Sequence, residues 1–346
     1  MTSVIDPVAP ATDEPDPARA ARRFRKLVFV LGGVFVVLFG GYVWMVFESH
    51  PRNPVIATDY ADPYVQVVGD TYYAFGTGVG DDLLQVRSST NLKDWERLPN
   101  ALPKLPSWAV GGQAWAPTVQ RFGDTWVVYF SAAIDYEGTQ CIHLATASHV
   151  VGPYTPVPGD PFLCNPNAGG VIDPSIYRRG NDVWLLWKTD GDHIDKPTAL
   201  WSQPLTPNGR AFADGSIPSR LISDSMDWQD GIVEAPYMVH TDHGYRLFFS
   251  SGWYNTDKYS VGWATCDSPT GPCRVPAVDN PFVASTDVVA GPGGASIFTD
   301  AVGDHWIVYH GWNPTHIGYE NGGVRSMRVD RIDLSGEIPS TPAPTP

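Results

Sequence analysis

A five-fold internal repeat limits what this chain can become. A strand-like run, a Gly/Asp/Asn turn and an aromatic-rich run recur at "DPYVQVVGDTYYAFGTG", "WAPTVQRFGDTWVVYFSA", "DPSIYRRGNDVWLLWKTDG", "EAPYMVHTDHGYRLFFSSG" and "GGASIFTDAVGDHWIVYHGW". The turn residues Asp70, Asp124, Asp182, Gly244 and Asp304 stand 54, 58, 62 and 60 positions apart. Aromatic and β-branched runs flanking such turns predict hairpins. A third strand follows in most copies, as at "LLQVRSSTNLKDWERL" and "VRSMRVDRIDL". Repeats of this length, with three or four strands each, are the blades of a β-propeller. Stacked sandwiches also use short strands but do not require five matched registers. The fold expected is therefore all-β, a five-bladed β-propeller, with repeats over about 53–334 inside a domain set at 48–336.

The rest of the chain reads differently. Residues 27–47, "LVFVLGGVFVVLFGGYVWMVF", form an uncharged apolar run long enough to span a bilayer as a single N-terminal transmembrane helix. Arg22, Arg23, Arg25 and Lys26 precede it, so the positive-inside rule puts segment 1–26 in the cytoplasm and the propeller outside the cell membrane. A cleaved signal peptide is the rival, disfavoured by the length of the run and the lack of a small-x-small cleavage site after it. The Pro-rich stretch 337–346 reads as a disordered tail.

The formal charge is −14, and the first 47 residues carry five basic and four acidic groups, leaving −15 beyond the apolar run. Such a surface repels nucleic acid and anionic headgroups and suits a neutral ligand. Cys141, Cys164, Cys266 and Cys273 all fall in the outward part, where disulfides persist. Three pairings are open; local pairing, 141 with 164 and 266 with 273, is favoured because "CDSPTGPC" reads as a turn between two strands. Zinc is the weaker alternative, since no close Cys or His pair accompanies them.

Aligning the five copies puts Asp62, Trp115, Asp173, Glu234 and Gly294 in one column at the start of the first strand. First strands line a propeller's central channel, so these positions are expected to converge at one mouth. A single Asp-Pro is ordinary turn punctuation. Three acids at one repeat position, with Trp and Gly in the other copies, do not behave as a structural repeat. Glycosidic cleavage needs a carboxylic acid for the leaving oxygen and a carboxylate opposite it. A third carboxylate raises the acid's pKa and orients it, while a Trp face packs on a sugar ring.

With "NPVIATDYADPYVQVVGDTYYAFGTG", "WAPTV", "VIDPSIY", "IVEAPYMV", "ATCDSPTGP" and "IVYHGW" in place, the chain resembles glycoside hydrolase family 43 over nearly all of residues 53–334. The resemblance implies an inverting glycosidase acting on polysaccharide or oligosaccharide. Asp62 is implied as general base, Glu234 as general acid and Asp173 as pKa modulator and orienter. The implied targets are α-L-arabinofuranosides first, then β-xylosides or galactofuranosides. It also implies that Arg325 anchors substrate and that His310 helps hold a central hydrated cation, commonly calcium; the chemistry itself requires no cofactor. A surface arginine and a packed core histidine are the plain alternatives. Trp115, Trp253 and Tyr136 are taken as substrate-binding, and Tyr254, His193, Trp312 and His316 as further side chains able to shape the mouth. Many relatives carry a histidine where this chain reads "GPGGAS", and Gly294 there is expected to widen the mouth. Two other readings stay open: a non-catalytic glycan-binding propeller, and a retaining fructan hydrolase or fructosyltransferase, whose "RDP" and "EC" motifs are missing.

Overall fold

The computed structural model describes residues 51–277, 280–342 and 344. Segments 1–26 and 27–47, expected to be cytoplasmic and transmembrane, lie outside them. Among the described residues no helix is long and apolar enough to cross a membrane.

Five antiparallel sheets follow one another along the chain. Blade 1 holds Tyr64–Val68, Thr71–Val79, Asp82–Ser89 and Glu96–Arg97. Blade 2 holds Trp115–Phe122, Thr125–Ala133, Gln140–Ala147 and Thr155–Pro156. Blade 3 holds Val171–Arg179, Asp182–Thr189, Ala199–Leu205 and Ser219–Ser223. Blade 4 holds Val233–Thr241, Gly244–Ser251, Ser260–Cys266 and Cys273–Arg274, and blade 5 holds Ala290–Thr299, His305–Trp312 and Ser326–Arg331. In the first three blades, the hairpin from inner to second strand closes with a two-residue loop beginning at Gly69, Gly123 or Gly180, at φ of +59°, +59° and +64°. A glycine with positive φ at the first loop position matches the right-handed twist of the flanking strands.

Most second strands carry apolar residues on both faces, as in "WVVYFSA" and "VWLLWKT", because each sheet is covered on both sides by its neighbours. The apolar core is accordingly divided into five clusters, one at each blade-to-blade interface. Phe75 with Val128 joins blades 1 and 2, and Val127 with Leu185 joins 2 and 3. Leu186 with Phe249 joins 3 and 4, Phe248 with Ile307 joins 4 and 5, and Val65 with Val308 closes 5 onto 1. The circle is sealed from the N-terminal side of the chain: Ile56 bridges Met327 antiparallel, adding an edge to the last strand of blade 5. Both local disulfides are present, Cys141 with Cys164 and Cys266 with Cys273, and no cysteine is left for zinc.

The expectation of a disordered tail from residue 337 is corrected over 337–342. Ser340 pairs with Asp333, Thr341 Oγ1 donates to the Arg331 carbonyl, and Arg246 Nη2 donates to the Glu337 carbonyl. Backbone hydrogen bonding outweighs the Pro-rich composition there.

Candidate active site

The inner ends of the five sheets meet in a narrow axial neck lined by five equivalent triplets, 62–64, 116–118, 173–175, 235–237 and 294–296. The first residue of each triplet is left-handed: Asp62 at φ +52°, Ala116 at +45°, Asp173 at +57°, Ala235 at +48° and Gly294 at +59°. This corrects the column read from the sequence. Asp62, Asp173 and Gly294 are equivalent, but Trp115 and Glu234 stand one residue earlier than the left-handed position. The inner-strand pairing shifts register at that point in blades 2, 3, 4 and 5, a bulge that re-aims the side chains beside it. Left-handed non-glycine residues cost about 1–3 kcal/mol each, and such strain concentrates at functional sites.

One mouth of the neck opens into a cavity of about 550 Å³ whose walls include Asp62, Asp173, Glu234, Trp115 and Arg325. Five of the predicted site residues thus converge. His193 and Tyr254 also line it. Trp253 and Tyr136 do not, although both are exposed, and Trp312 is buried with its indole N–H donating to the Tyr254 carbonyl.

Asp62 is fixed on several sides. Its Oδ2 accepts from Thr77 Oγ1 at 2.6 Å, and Thr77 Oγ1 in turn accepts the Ala116 N–H at 3.0 Å. Its Oδ1 lies 3.7 Å from Arg325 Nη1. Burial opposes ionisation of Asp62, but Arg325, His310 and the Thr77 hydrogen bond outweigh it and hold the carboxyl below its ordinary value. Arg325 is itself pinned, Nε to Tyr319 Oη at 2.9 Å, with its guanidinium 5.0 Å above the Tyr254 ring.

Asp173 and Glu234 form the opposite wall. Asp173 Oδ2 accepts the Ala235 N–H at 2.8 Å. Burial first, then the charge of Glu234, pushes Asp173 well above the ordinary carboxylate range. Glu234 Oε2 accepts from Lys188 Nζ at 2.8 Å and Oε1 from Tyr259 Oη at 2.6 Å. Burial and the negative charges of Glu234 and Asp62 keep the Tyr259 phenol protonated, hence a donor. The site therefore pairs Asp62, a carboxylate held ionised, with Asp173, a carboxyl that burial and the charge of Glu234 push toward its protonated form.

The sequence reading missed Lys188, Tyr259, Thr77, Asp190 and Asp192. A lysine inside the apolar run "VWLLWKT" was a visible signal, because a buried strand has no use for an unpaired cation. Tyr259 had none.

Gly294 does not widen the mouth. A Cβ there would lie 2.6 Å from His310 Nδ1 and 2.9 Å from Asp62 Oδ1, while a Cβ on Gly293 would strike the Tyr259 ring at 2.0 Å. The glycines leave room for Tyr259 and His310 to stack 5.7 Å apart behind the acids.

His310 is fully buried, and its Nδ1 accepts the Asp62 N–H at 3.0 Å. Burial and Arg325 lower its pKa to about 3, so the ring is neutral. The proton then sits on Nε2, a buried donor with no hydrogen-bond partner. A donor nitrogen suits an acceptor and not a directly ligated cation, and among the described residues no group of three or more His, Cys, Asp and Glu is placed to hold a metal ion. The residues present do not fit direct calcium ligation by His310.

A propeller with three carboxyl groups and an arginine around one axial cavity is the scaffold of a carboxylate-based glycosidase. The sequence profile of glycosyl hydrolases family 43 matches residues 51–338. The chain belongs to that family and is a glycosidase. It is 28% identical to a β-D-galactofuranosidase of Aspergillus niger over 303 residues, covering 81% of this chain and 80% of that one. It is also 28% identical to a probable arabinan endo-1,5-α-L-arabinosidase of Aspergillus oryzae, covering 82% and 91%. Among solved structures, a thermostable family-43 glycoside hydrolase aligns with a TM-score of 0.75 at 25% identity, covering 86% of this chain and 97% of that one. An arabinanase of Cellvibrio cellulosa complexed with arabinohexaose shares the fold at a TM-score of 0.64 and 18% identity, covering 83% and 96%.

Proposed function

We propose that the chain hydrolyses α-L-arabinofuranosidic bonds, with galactofuranosides and β-xylosides as the next substrates in order, and that it inverts the anomeric centre. The observation that carries this reading is the convergence of Asp62, Asp173, Glu234 and Arg325 on one cavity. The names of the Aspergillus relatives support a furanose target. In the proposed reaction Asp62, held ionised, takes a proton from a water that attacks the anomeric carbon. Glu234, as general acid, gives the leaving oxygen a proton, and the glycosidic C–O bond breaks. Trp115, 40% exposed at the rim, offers an aromatic face to a sugar ring, and Arg325 holds substrate hydroxyls. We place the catalytic domain outside the cell, held at the membrane by residues 27–47, on the strength of the apolar run and the basic residues before it.

The test is hydrolysis of a panel of nitrophenyl glycosides by the wild type, Glu234→Gln and Asp62→Asn, with proton NMR of the first-formed anomer. Each variant is expected to lose about 10²–10⁴ in rate, and the first product is expected to be inverted. Variants as active as the wild type on every cleaved substrate would remove the assignment; binding without cleavage would favour a glycan-binding propeller.

A further inference from the structure

Lys188 is a charged residue in a core position. Along the second strand of blade 3, Val183, Leu185 and Trp187 face blade 2, and Leu186 faces blade 4. Lys188 continues the Leu186 side, yet its side chain is only 2% exposed. Its Nζ lies 2.8 Å from Glu234 Oε2, 3.1 Å from Asp190 Oδ1 and 3.0 Å from Asp192 Oδ1. Asp173, from the first strand of the same blade, also acts on it. Tyr259 closes the cluster from blade 4, His193 Nδ1 stands 3.8 Å from Asp190 Oδ2 at the exposed edge, and Asp62 and Arg325 line the same cavity with His310 behind Asp62. One cation thus serves four carboxyl groups from two blades. Burying it is unfavourable before its partners compensate, and an apolar side chain would fill the interface more simply.

We propose that Lys188 is a positioning residue for the acid: its ammonium holds Glu234 Oε2 in place for the leaving oxygen, while Asp190 and Asp192 share its charge so that Glu234 can still serve as acid. An unshared lysine against Glu234 would favour the carboxylate so strongly that no proton remained to give. No lysine at all would leave Glu234 held by Tyr259 alone, at one oxygen. Asp190 and Asp192 are therefore part of the setting. Asp192, held below its ordinary value by Lys188 although burial opposes it, and Lys188, kept cationic by the carboxylates around it, agree with this sharing.

The proposal rests on the hydrolase reading above, and the experiment separates the two. pH–rate profiles of kcat and kcat/KM are measured for the wild type, Lys188→Met, Lys188→Arg and Asp192→Asn, on a nitrophenyl arabinofuranoside and on an arabino-oligosaccharide with a poor leaving group. In Lys188→Met the alkaline limb, which reports loss of the acid's proton, is expected to move up by about one pH unit or more, the low end of what a nearby opposite charge imposes on a carboxyl. Its kcat on the oligosaccharide is expected to fall about 10-fold or more, with a smaller loss on the nitrophenyl substrate, which needs less protonation. Lys188→Arg keeps the limb in place. Asp192→Asn moves it down, because Glu234 then receives more of the lysine's charge. A folded Lys188→Met with an unmoved limb overturns the proposal, as does an upward shift in Asp192→Asn. Should Lys188→Met fail to fold by thermal melting, the sign of the shift in Asp192→Asn, whose side chain is 19% exposed, decides the matter. Glu234→Gln with full activity on the oligosaccharide would instead bring down the hydrolase reading itself.

Discussion

At Asp173 a part-buried carboxyl faces the charge of Glu234 and, more weakly, that of Asp62, with one backbone N–H in return. Its folded value lies above the ordinary 3.8, so as pH rises from there the unfolded chain gives up this proton before the native one does. The group's contribution to stability is therefore full below its ordinary value and is lost as pH rises toward its folded value. Asp173→Asn removes the charge while its Oδ1 still accepts the Ala235 N–H. The variant is expected to be more stable than wild type at pH 7, by about 1 kcal/mol, which is about 2 °C in Tm for a domain of this size. The difference should vanish near pH 3. Activity should fall about 10²-fold or more, since the Asp173–Glu234 pair loses a member. Thermal melts at the two pH values check the stability arm; equal Tm at pH 7 would show that the native fold tolerates the ionised group at no cost.

Strands and turns were legible in the sequence because their signals are local: period-two alternation, loop glycines, and a strand–turn–aromatic strand pattern repeated in five copies. One local signal was passed over: Pro63, Pro117, Pro174 and Pro236 mark a common column, which puts Glu234, like Trp115, one residue before the left-handed position that Asp62 and Asp173 occupy. "GPGG" was misread for a different reason, since the neighbours that fill its space, Tyr259 and His310, come from other strands or loops. Asp62, Asp173 and Glu234 were found because carboxylates recur. Lys188 was passed over although it interrupts an apolar run, and Thr77 and Tyr259 act through contacts no spacing encodes. The inner strand of blade 5 can be tested at Gly293, where a methyl group meets the Tyr259 ring. Gly293→Ala is expected to cost about 1–3 kcal/mol, the usual penalty for overpacking. It should also lower kcat more than it raises KM, because the displaced Tyr259 no longer holds Glu234 Oε1 at 2.6 Å. Melting and steady-state kinetics check both arms; a wild-type kcat would mean that Tyr259 does not position the acid.

In the whole molecule, the apolar closure of blade 5 on blade 1 is reinforced by a segment from one end of the propeller that adds an edge to the sheet at the other. Residues near 55 hydrogen-bond Met327 through Val55 N–H and Ile56 N–H, and Met327 N–H returns the bond to Ile56. Asn53 extends this seam with a side chain instead of backbone. Its Nδ2 donates to the Val329 carbonyl at 3.2 Å and to Asp330 Oδ1 at 3.0 Å, and its Oδ1 accepts the Val329 N–H at 2.8 Å. All of this is buried, so Asn53→Ala strips polar groups of their partners without admitting water freely, at about 1–3 kcal/mol per group left unsatisfied. The other interfaces lie within one continuous run of chain, whereas this one joins residues 276 positions apart. Losing it releases blade 5 from blade 1 and lets the circle open at that point first. Asn53→Ala is therefore expected to lower stability by about 2–4 kcal/mol and to make residues near 53–57 the first cut in limited proteolysis. Asn53 does not line the catalytic cavity, so the folded variant should keep its kcat and KM at 25 °C. Melting at the wild-type temperature, or first cleavage within blades 2 to 4, would show that the circle is held by its apolar interfaces and not by this seam.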